Sequence, residues 1–255
     1  QNINVLWDLT KRDLKVRYAG SVLGSYWNLI HPVVMILIYT LVFSRVMKAR
    51  MGATSGPFAY SLYLCSGLIA WNLLVDVMTR GSTALLHNAD FIKKLAFRPS
   101  LLLQASMLSA FVNFLITFAV FFPFLMLAHT PLPLPFLAYV FSVGLLLVFA
   151  YGMSLALSCL NVFLRDVQQM VSVVFQLWFW FTPIVYEVDV LPDLARALVW
   201  FNPAFAYLNA MHDALYYRRL PTLDNVMLMV LLSAASLAFG IYVYRRSITF
   251  VRDYL

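Results

Sequence analysis

Charged residues are scarce in this sequence. Asp, Glu, Lys and Arg make up 11% of the 255 residues, whereas soluble domains carry about 25%. Residues 99–164 contain none of the four, a run of 66 positions. One membrane crossing needs only about 20 apolar residues, so this run is too long for one helix. No long polar block remains elsewhere, and we expect a single transmembrane domain over residues 1–255.

Motifs for catalysis are also missing. None of the nine glycines is followed by Lys, which excludes a G-x-x-x-x-G-K-[ST] phosphate loop, so any nucleotide chemistry must come from another chain. Neither Gly-x-Ser-x-Gly nor His-Glu-x-x-His occurs. We therefore expect no catalytic residue, no metal site and no cofactor in this chain. The four histidines lack metal-ligand spacing: His31, His87, His129 and His212.

Ionisable side chains and cysteines are rare within the hydrophobic segments. Proton-driven carriers need ionisable groups in the middle of their crossings, and we expect none there. Asp76 and Asp166 fall at predicted inner helix ends, where a charge near water is a simpler interpretation than a proton relay. Cys65 and Cys159 lie in hydrophobic segments near opposite faces of the bilayer, so we predict free thiols and no disulfide.

The uncharged run predicts a membrane hairpin. Its middle, residues 130–135, reads Thr-Pro-Leu-Pro-Leu-Pro. Proline cannot continue a helix, because it removes a donor and clashes with the preceding turn. We predict one helix over residues 100–128 and a second over residues 136–160. Arg98 and Arg165, at the two ends of the hairpin, must then lie on the same side of a bilayer.

Four further uncharged runs bring the predicted total to six crossings. They lie at residues 18–44, 51–75, 167–186 and 225–244. We predict an all-α polytopic membrane protein with both termini on one side. With the N-terminus inside, twelve basic residues lie inside and six outside, so the positive-inside rule favours cytoplasmic N- and C-termini. The basic inner face suits a soluble partner or anionic membrane lipid.

Residues 3–18 predict an amphipathic helix, within an interfacial segment that we place at residues 1–24. Basic residues on one face and Trp on the other are typical of a helix that lies in the membrane surface. Both faces repeat at the three-to-four spacing of a helix. The apolar face holds Ile3, Leu6, Trp7, Thr10 and Leu14, and the polar face holds Asn4, Asp8, Lys11, Arg12 and Lys15.

The inner connection, residues 79–98, is too long for a turn. Asn88 or Asp90 can cap a short helix there, and Phe91 and Leu95 share one of its faces. An apolar edge beside two lysines suits a docking surface for a cytoplasmic partner. A linker helix lying on the membrane surface is the alternative, and the pattern leaves both open. The segment runs Asp90, Phe91, Ile92, Lys93, Lys94, Leu95.

The outer connection, residues 187–224, contains two apolar stretches. They cover residues 191–201 and 204–217, are delimited by Pro192 and by Asn202-Pro203, and are both too short to cross a bilayer. We interpret them as two short outer-face helices, re-entrant or interfacial, between the fifth and sixth crossings.

The fifth crossing carries a polar stripe at i, i+4 and i+8, an unfavourable face to show to lipid. Aromatic residues flank the stripe further out, Trp178 falls nearly opposite, and Thr182-Pro183 must kink or end the helix. Amide groups below aromatic rings suit a passage for sugars; helix packing with interfacial aromatics is the alternative. The stripe is Gln168, Ser172 and Gln176, flanked by Phe179 and Trp180. On the first crossing Met35, Tyr39 and Phe43 form a comparable stripe, for which ordinary packing is the simpler interpretation.

Three ordered signatures resemble the membrane subunits of polysaccharide-exporting ABC transporters. The first is Lys11-Arg12-Asp13-Leu14-Lys15-Val16-Arg17-Tyr18, followed by Ser21-x-Leu23-Gly24-x-x-Trp27 and Pro32. The second is Asn161-Val162-Phe163-Leu164-Arg165-Asp166 with Thr182-Pro183-Ile184-x-Tyr186, and the third is Asn202-Pro203. The resemblance covers essentially the whole chain. Exporters of lipid-linked O-antigen are most similar, and capsule and teichoic-acid exporters share the motifs.

The resemblance implies a bacterial inner-membrane subunit that pairs as a homodimer with two ABC ATPase subunits, which bind the ATP and Mg²⁺. Lys11, Arg12 and residues 90–95 would contact the ATPases. The first and fifth crossings would line a channel at the dimer interface, capped by the outer helices. A lipid-linked polysaccharide would enter from the inner leaflet, and no nucleic-acid partner is expected. Residues implied in gating or in receiving the head group are Arg165, Asp166, Thr182, Pro183 and Glu187; for Arg165 and Asp166 a local ion pair at a helix end is the alternative.

Two other classes of function remain open. A secondary carrier or channel would transport without nucleotide and would need an ionisable group within the membrane. A membrane-embedded glycan-modifying enzyme would need catalytic side chains among the histidines and outer acids.

Overall fold

The computed structural model describes residues 2–16, 26–38, 59–94, 98–128 and 132–254. Every regular element within these ranges is helical, which confirms the all-α class. The helices are α1 (Asn2–Val16), α2 (Trp27–Ile38), α3 (Ala59–His87), α4 (Ala89–Lys94), α5 (Ser100–Ala128), α6 (Pro133–Phe163), α7 (Val167–Trp180), α8 (Asp193–Val199), α9 (Pro203–Leu215) and α10 (Leu223–Tyr254), with a 3₁₀ turn at Val188–Val190.

Four of the described helices are long and apolar enough to cross a membrane: α3, α5, α6 and α10. Helix α7 has 14 residues, so it is about 21 Å long at 1.5 Å per residue. A hydrocarbon core is about 30 Å thick. Helix α2 is described over 12 residues. Six crossings therefore remain a prediction.

The predicted hairpin is α5 and α6. Helix α5 has the predicted bounds, Ser100–Ala128. Helix α6 is longer than the predicted 136–160, because Pro133 and Pro135 fall in its first turn. A proline is tolerated there, since the N–H groups of the first turn have no partner within the helix.

The two arms of the hairpin stack aromatic rings on each other near their turn. Phe118 stacks on Tyr139 at 5.2 Å between ring centroids, and Phe122 meets Phe136 at 6.3 Å. Further from the turn, α3 packs against both α5 and α6 and lies between them. Helix α3 is accordingly the central helix of the bundle, and most of its side chains are buried.

Helix α3 also corrects a predicted boundary. The uncharged run ended at residue 75, and residues 79–98 were predicted as a connection, whereas α3 continues through Asp76 and Arg80 to His87. Arg80 Nε lies 2.6 Å from Asp76 Oδ1, one helical turn away. This pairing of opposite charges at i and i+4 supports the helix beyond the apolar segment.

Helix α10 packs along α6 through small residues. The backbones touch at Gly152 and Gly240, where a Cβ on either residue would overlap the other helix. Ser236 donates a hydrogen bond to the carbonyl of Phe149 at 2.7 Å, and Ser233 donates to that of Leu145 at 2.9 Å. Small residues allow this approach, which drives helix association where the solvent is as apolar as the side chains.

The two terminal helices meet at one end of the bundle, which we call the terminal end. Val251 of α10 and Leu9 of α1 belong to one apolar cluster, together with the end of α3, the start of α5 and the end of α6. The opposite end, near the α5–α6 turn, is the turn end. Cys159 lies near the terminal end and Cys65 toward the turn end; both are buried and free, as predicted.

The segment between α7 and α10 forms a helical hairpin at the turn end. Helix α8 is mostly exposed, while nearly all of α9 is buried among α3, α6 and α10. Helix α9 begins next to Trp178, which packs on Trp71, and ends where His212 stacks on Tyr63 at 3.9 Å. Tyr63 lies eight residues before Trp71, so it is about 12 Å nearer the start of α3. The first residues of α9 therefore lie deeper in the bundle than its last residues.

Candidate functional site

Helix α7 has one buried face and a wide exposed surface. Val167, Val171 and Phe175, spaced four residues apart, are buried and face the bundle. The predicted polar stripe starts one residue later, so it is turned about 100° around the helix. All three of its side chains are exposed: Gln168, Ser172 and Gln176.

The aromatic end of α7 divides between surface and core. The Trp180 side chain is 66% exposed, whereas Phe179 is half-buried and meets Trp71 at 5.9 Å. Trp178 packs edge-on against Trp71 at 5.7 Å and donates from Nε1 to Asn202 Oδ1 at 2.7 Å. Trp178 and Trp180 therefore point in different directions, as the helical spacing predicts.

The predicted stripe on the first crossing is described only at Met35. The Met35 side chain is half-buried on α2; Tyr39 and Phe43 lie outside the described residues. Helix α2 packs against α5, while α7 packs against α3 and α6. Within one copy the two predicted lining helices thus contact different parts of the bundle.

Thr182 and Pro183, predicted as gate residues, are buried in a junction. The Thr182 hydroxyl donates to the carbonyl of Trp178 at 2.7 Å and accepts from Asn202 Nδ2 at 2.8 Å. Asn202 Oδ1 also accepts from the backbone N–H of Ala204 at 3.1 Å, which caps α9. Asn202, which sequence reasoning treated only as a motif residue, joins the end of α7 to the start of α9.

Two tyrosines of α3 hold the segment that follows Pro183. Tyr60 donates to the carbonyl of Val185 at 2.8 Å, and Tyr63 donates to that of Tyr186 at 3.1 Å. Glu187 comes next and is half-buried. Partial burial raises the pKa of Glu187, and the nearby Asp189 carboxylate adds to this increase.

The remaining predicted gate residues lie at the other end of α7. Arg165 and Asp166 occupy the turn between α6 and α7 at the terminal end, and both side chains are exposed. The 14 residues of α7 separate them from Thr182, Pro183 and Glu187, a distance of about 21 Å. The predicted set is therefore two groups, one at each end of α7.

Helix α4 is the short helix predicted in the inner connection. Asp90, Phe91 and Lys93 are exposed, with Phe91 at 39%, while Ile92 is buried in the terminal-end cluster. Ile92 thus anchors α4 and offers no surface to a partner. The backbone of Lys94 belongs to α4, and Leu95 lies outside the described residues.

One of the two predicted basic contacts joins α1 to α4. An Arg12 Nη donates to Asn88 Oδ1 at 2.6 Å, and the guanidinium lies over the Phe91 ring, 4.5 Å from its centroid. This contact occupies the Asn88 side chain, which also donates to the carbonyl of Ala84. Lys11 is exposed, with its ammonium 5.4 Å from the centre of the Trp7 ring.

A charged network that sequence reasoning missed lies between α1, α3 and α5. Arg80 donates to Asp76 Oδ1 at 2.6 Å and to Asp13 Oδ2 at 3.0 Å. Ser109 donates to the same oxygen of Asp13, and Asn113 Nδ2 lies 3.4 Å from Asp76 Oδ2. Asp76 and Arg80 lie in the second half of α3, toward the terminal end, so the expectation that the middle of a crossing holds no ionisable group stays a prediction.

A sequence signal for this network existed. Polar residues recur at i, i+4 and i+8 on both facing helices: Asn72, Asp76 and Arg80 on α3, and Ser109, Asn113 and Thr117 on α5. Such a stripe is the pattern that singled out α7. In α3 the charges of Asp76 and Arg80 marked the apparent end of the crossing and concealed the stripe.

Comparisons with known proteins agree with this architecture. The sequence model of the ABC-2 type transporter family matches residues 4–216. An O-antigen export system permease protein of Klebsiella pneumoniae is 30% identical over 220 residues, which is 83% of this chain and 82% of the relative. A protein of the same description from Myxococcus xanthus is 30% identical over 244 residues, or 92% of this chain and 91% of the relative.

Proposed function

The chain belongs to the ABC-2 type transporter family, and on that premise we propose that it is the membrane subunit of an ATP-driven exporter. Its substrate is a lipid-linked polysaccharide of the O-antigen type, which it moves across the bacterial cytoplasmic membrane. The observation that supports this substrate is the similarity to O-antigen export permeases over most of both chains. The exposed polar and aromatic surface of α7 is the feature of the fold that suits a glycan.

The transport path lies between two copies of the chain. The polar stripe of α7 is unfavourable in contact with lipid, so a second copy facing it would give that surface a water-filled passage. Sugars would stack their C–H faces on Trp180 and hydrogen-bond to Gln168 and Gln176. The α8–α9 hairpin then lies at the outer mouth of the passage, and the first crossing contributes Met35, Tyr39 and Phe43.

The energy for transport enters at the terminal end. The chain has no phosphate loop, so two ABC ATPase subunits would bind ATP and Mg²⁺ and supply the free energy of hydrolysis. Their docking surface is the exposed part of α4, namely Asp90, Phe91 and Lys93, with Lys11 nearby on α1. Arg12 transmits movement of α4 to α1 through its contacts with Asn88 and Phe91.

The membrane orientation follows from the same assignment. The terminal end faces the cytoplasm, which places both termini and the basic excess inside. Arg165 and Asp166 then lie at the inner leaflet, where the phosphate-linked head of the substrate would arrive, and Arg165 would pair with it. Helices α2 and α7, together with residues outside the described ranges, complete six crossings, and α1 lies in the inner membrane surface.

A secondary carrier is the alternative function for which the structure offers candidate residues. Such a carrier requires an ionisable group within the membrane, and Asp76 and Arg80 are a charged pair on a helix long enough to cross one. Both are already engaged, with each other and with Asp13 and Asn113. Because these contacts join α1, α3 and α5, we assign the network to helix packing.

Reconstitution separates these functions. Proteoliposomes that contain the chain and its ATPase partner should translocate lipid-linked polysaccharide only when ATP is present, and the chain alone should hydrolyse no ATP. Translocation by the chain alone, without nucleotide, would contradict the exporter and support the carrier.

The coupling surface has its own test. Phe91→Asp should leave ATP hydrolysis by the ATPase intact while export per ATP falls, because the aspartate places a charge in the proposed contact. Phe250→Asp changes another exposed phenylalanine near the terminal end, on α10, and should retain coupling. Equal export by both variants would argue against docking at α4.

A further inference from the structure

A cavity of about 630 Å³ lies at the terminal end between α1, α3 and α5. Its volume is within the range of about 300–1,000 Å³ that is typical of sites for small ligands. Apolar side chains form part of its wall, including Leu9, Val16 and Leu102. None of the described residues of the predicted channel surface lines this cavity, so among them the cavity is separate from the proposed path of the glycan.

The charged wall of the cavity holds both signs. Among the described lining residues, Arg12 and Arg80 contribute two positive charges, and Asp13 and Asp76 contribute two negative charges. A ligand with two or more negative charges, such as a diphosphate, therefore meets no net attraction here. The balance favours a ligand that itself carries one charge of each sign.

Two of these side chains retain capacity for a ligand. The contacts of Asp13 with Arg80 and Ser109 both use Oδ2, and the side chain is 41% exposed. Within the described part of the chain Arg12 makes one hydrogen bond, to Asn88, whereas a guanidinium carries five N–H donors. The cavity thus presents an accepting carboxylate and a donating guanidinium on successive residues of α1.

We propose that this cavity binds the head group of an amine-bearing zwitterionic phospholipid from the adjacent leaflet. The ammonium donates to Asp13, the phosphate accepts from Arg12, and the acyl chains leave along the apolar wall of α1 and α5. The chain crosses a membrane, so this lipid class is present at the cavity in high concentration. Charge-assisted hydrogen bonds to both ends of the head group select a primary amine over a trimethylammonium group, which has no N–H to donate.

The first experiment compares three lipids on the full chain. Purified protein in detergent is titrated with phosphatidylethanolamine, phosphatidylcholine or phosphatidylglycerol, and bound lipid is counted by native mass spectrometry. Phosphatidylethanolamine should bind about tenfold more tightly than either of the others, the ratio expected from one additional charge-assisted hydrogen bond. Equal affinity for the two zwitterionic lipids, or tighter binding of phosphatidylglycerol, would overturn the proposal.

Matched variants then locate the site. Asp13→Asn should abolish the preference for phosphatidylethanolamine over phosphatidylcholine, whereas Asp8→Asn, the same change at an exposed position of α1, should keep it. Retention of the preference in Asp13→Asn refutes the assignment.

A second pair of variants covers the case in which Asp13→Asn impairs folding. This pair leaves both carboxylate partners of Arg80 unchanged. Arg12→Gln should weaken all three lipids by a similar factor, because they share the phosphate, and Lys11→Gln should weaken none. Unchanged binding of phosphatidylethanolamine by Arg12→Gln would equally reject the site.

Discussion

Helices α3 and α7 are both predominantly apolar, yet one forms the centre of the bundle and the other remains mostly on its surface. Helix α3 carries small residues that allow neighbouring backbones to approach: Gly67 faces His212, and Gly81 faces Ser154. Helix α7 contains no glycine or alanine. Because lipid is as apolar as Leu or Val, close packing and hydrogen bonds decide which membrane helix is buried.

The polar stripes of the two helices show the same contrast. Asp76 and Arg80 of α3 are joined to α1 and α5 by hydrogen bonds. On α7, Ser172 donates to the carbonyl of Gln168 in its own helix. A stripe satisfied by neighbouring helices stabilises the fold, whereas an exposed stripe is available to a second subunit or a substrate.

Removing the positive charge at the end of the α3 stripe should have the largest effect. Arg80→Gln leaves Asp13 and Asp76 without their cation, and loss of one partner of a buried pair costs about 3–5 kcal/mol. We expect a value near the lower bound, since Asp13 is partly exposed. The free energy of unfolding in micelles measures it. Arg246→Gln, at an exposed position of α10, is the control, and equal stability of the two variants would show that the network is dispensable.

Enlarging a small residue of α3 should have the next largest effect. The side chain of Gly81→Leu would overlap Ser154 of α6, and overpacking of this kind costs about 1–3 kcal/mol. Gly144→Leu is a matched control on α6, because a Cβ at Gly144 meets no atom within 4 Å. Thermal unfolding of both variants tests whether close approach holds α3 in place; a stable Gly81→Leu protein would argue that it does not.

A change on the exposed surface of α7 should affect export more than stability. Trp180→Ala should alter the free energy of unfolding by less than about 0.5 kcal/mol. Loss of one stacking contact, worth about 0.5–1.5 kcal/mol, should slow export about two- to tenfold. Phe239→Ala removes an exposed aromatic ring from α10 and should leave export unchanged. If Trp180→Ala mainly unfolds the protein, the Trp180 ring contributes to helix packing and not to export.

The smallest effect should come from the segment after α7. The pKa of Glu187 is raised by burial and by Asp189, so the folded protein holds this proton more tightly than the unfolded chain. Stability from this group is present at low pH and declines as the pH rises through the raised pKa. Glu187→Gln should flatten the unfolding profile above the ordinary pKa of a glutamic acid, about 4.3. Asp224→Asn, exposed at the start of α10, is the control; identical profiles for Glu187→Gln and the unchanged protein would exclude a role for this carboxyl.

The parts of the fold that could be predicted depend on local signals. Three prolines located the hairpin turn, and Ser100–Ala128 was predicted to the residue. Spacing along α7 separated Trp178 from Trp180, and the short helix α4 was expected within residues 90–95. Proline and helical periodicity affect structure within a few residues, so their effects can be recognised from the amino-acid sequence alone.

The errors arose where distant residues interact. Charges at Asp76 and Arg80 marked the end of the uncharged run, yet α3 continues through them as one helix, with partners on α1 and α5. Ile92 was grouped with docking residues, but apolar neighbours from several helices bury it. The outer stretch at 204–217 was left between two alternatives, and its burial among α3, α6 and α10 favours entry into the bundle.

The sequence by itself determined that this chain is helical and that it is a membrane protein, because hydrophobicity and proline spacing are properties of the residues. Only the tertiary structure decided which apolar helix is central and where the charged network, the α9 junction and the cavity at the terminal end lie. The physical reason is that a lipid solvent attracts every apolar face alike. The choice between faces is left to backbone approach and hydrogen bonds between residues far apart in the chain.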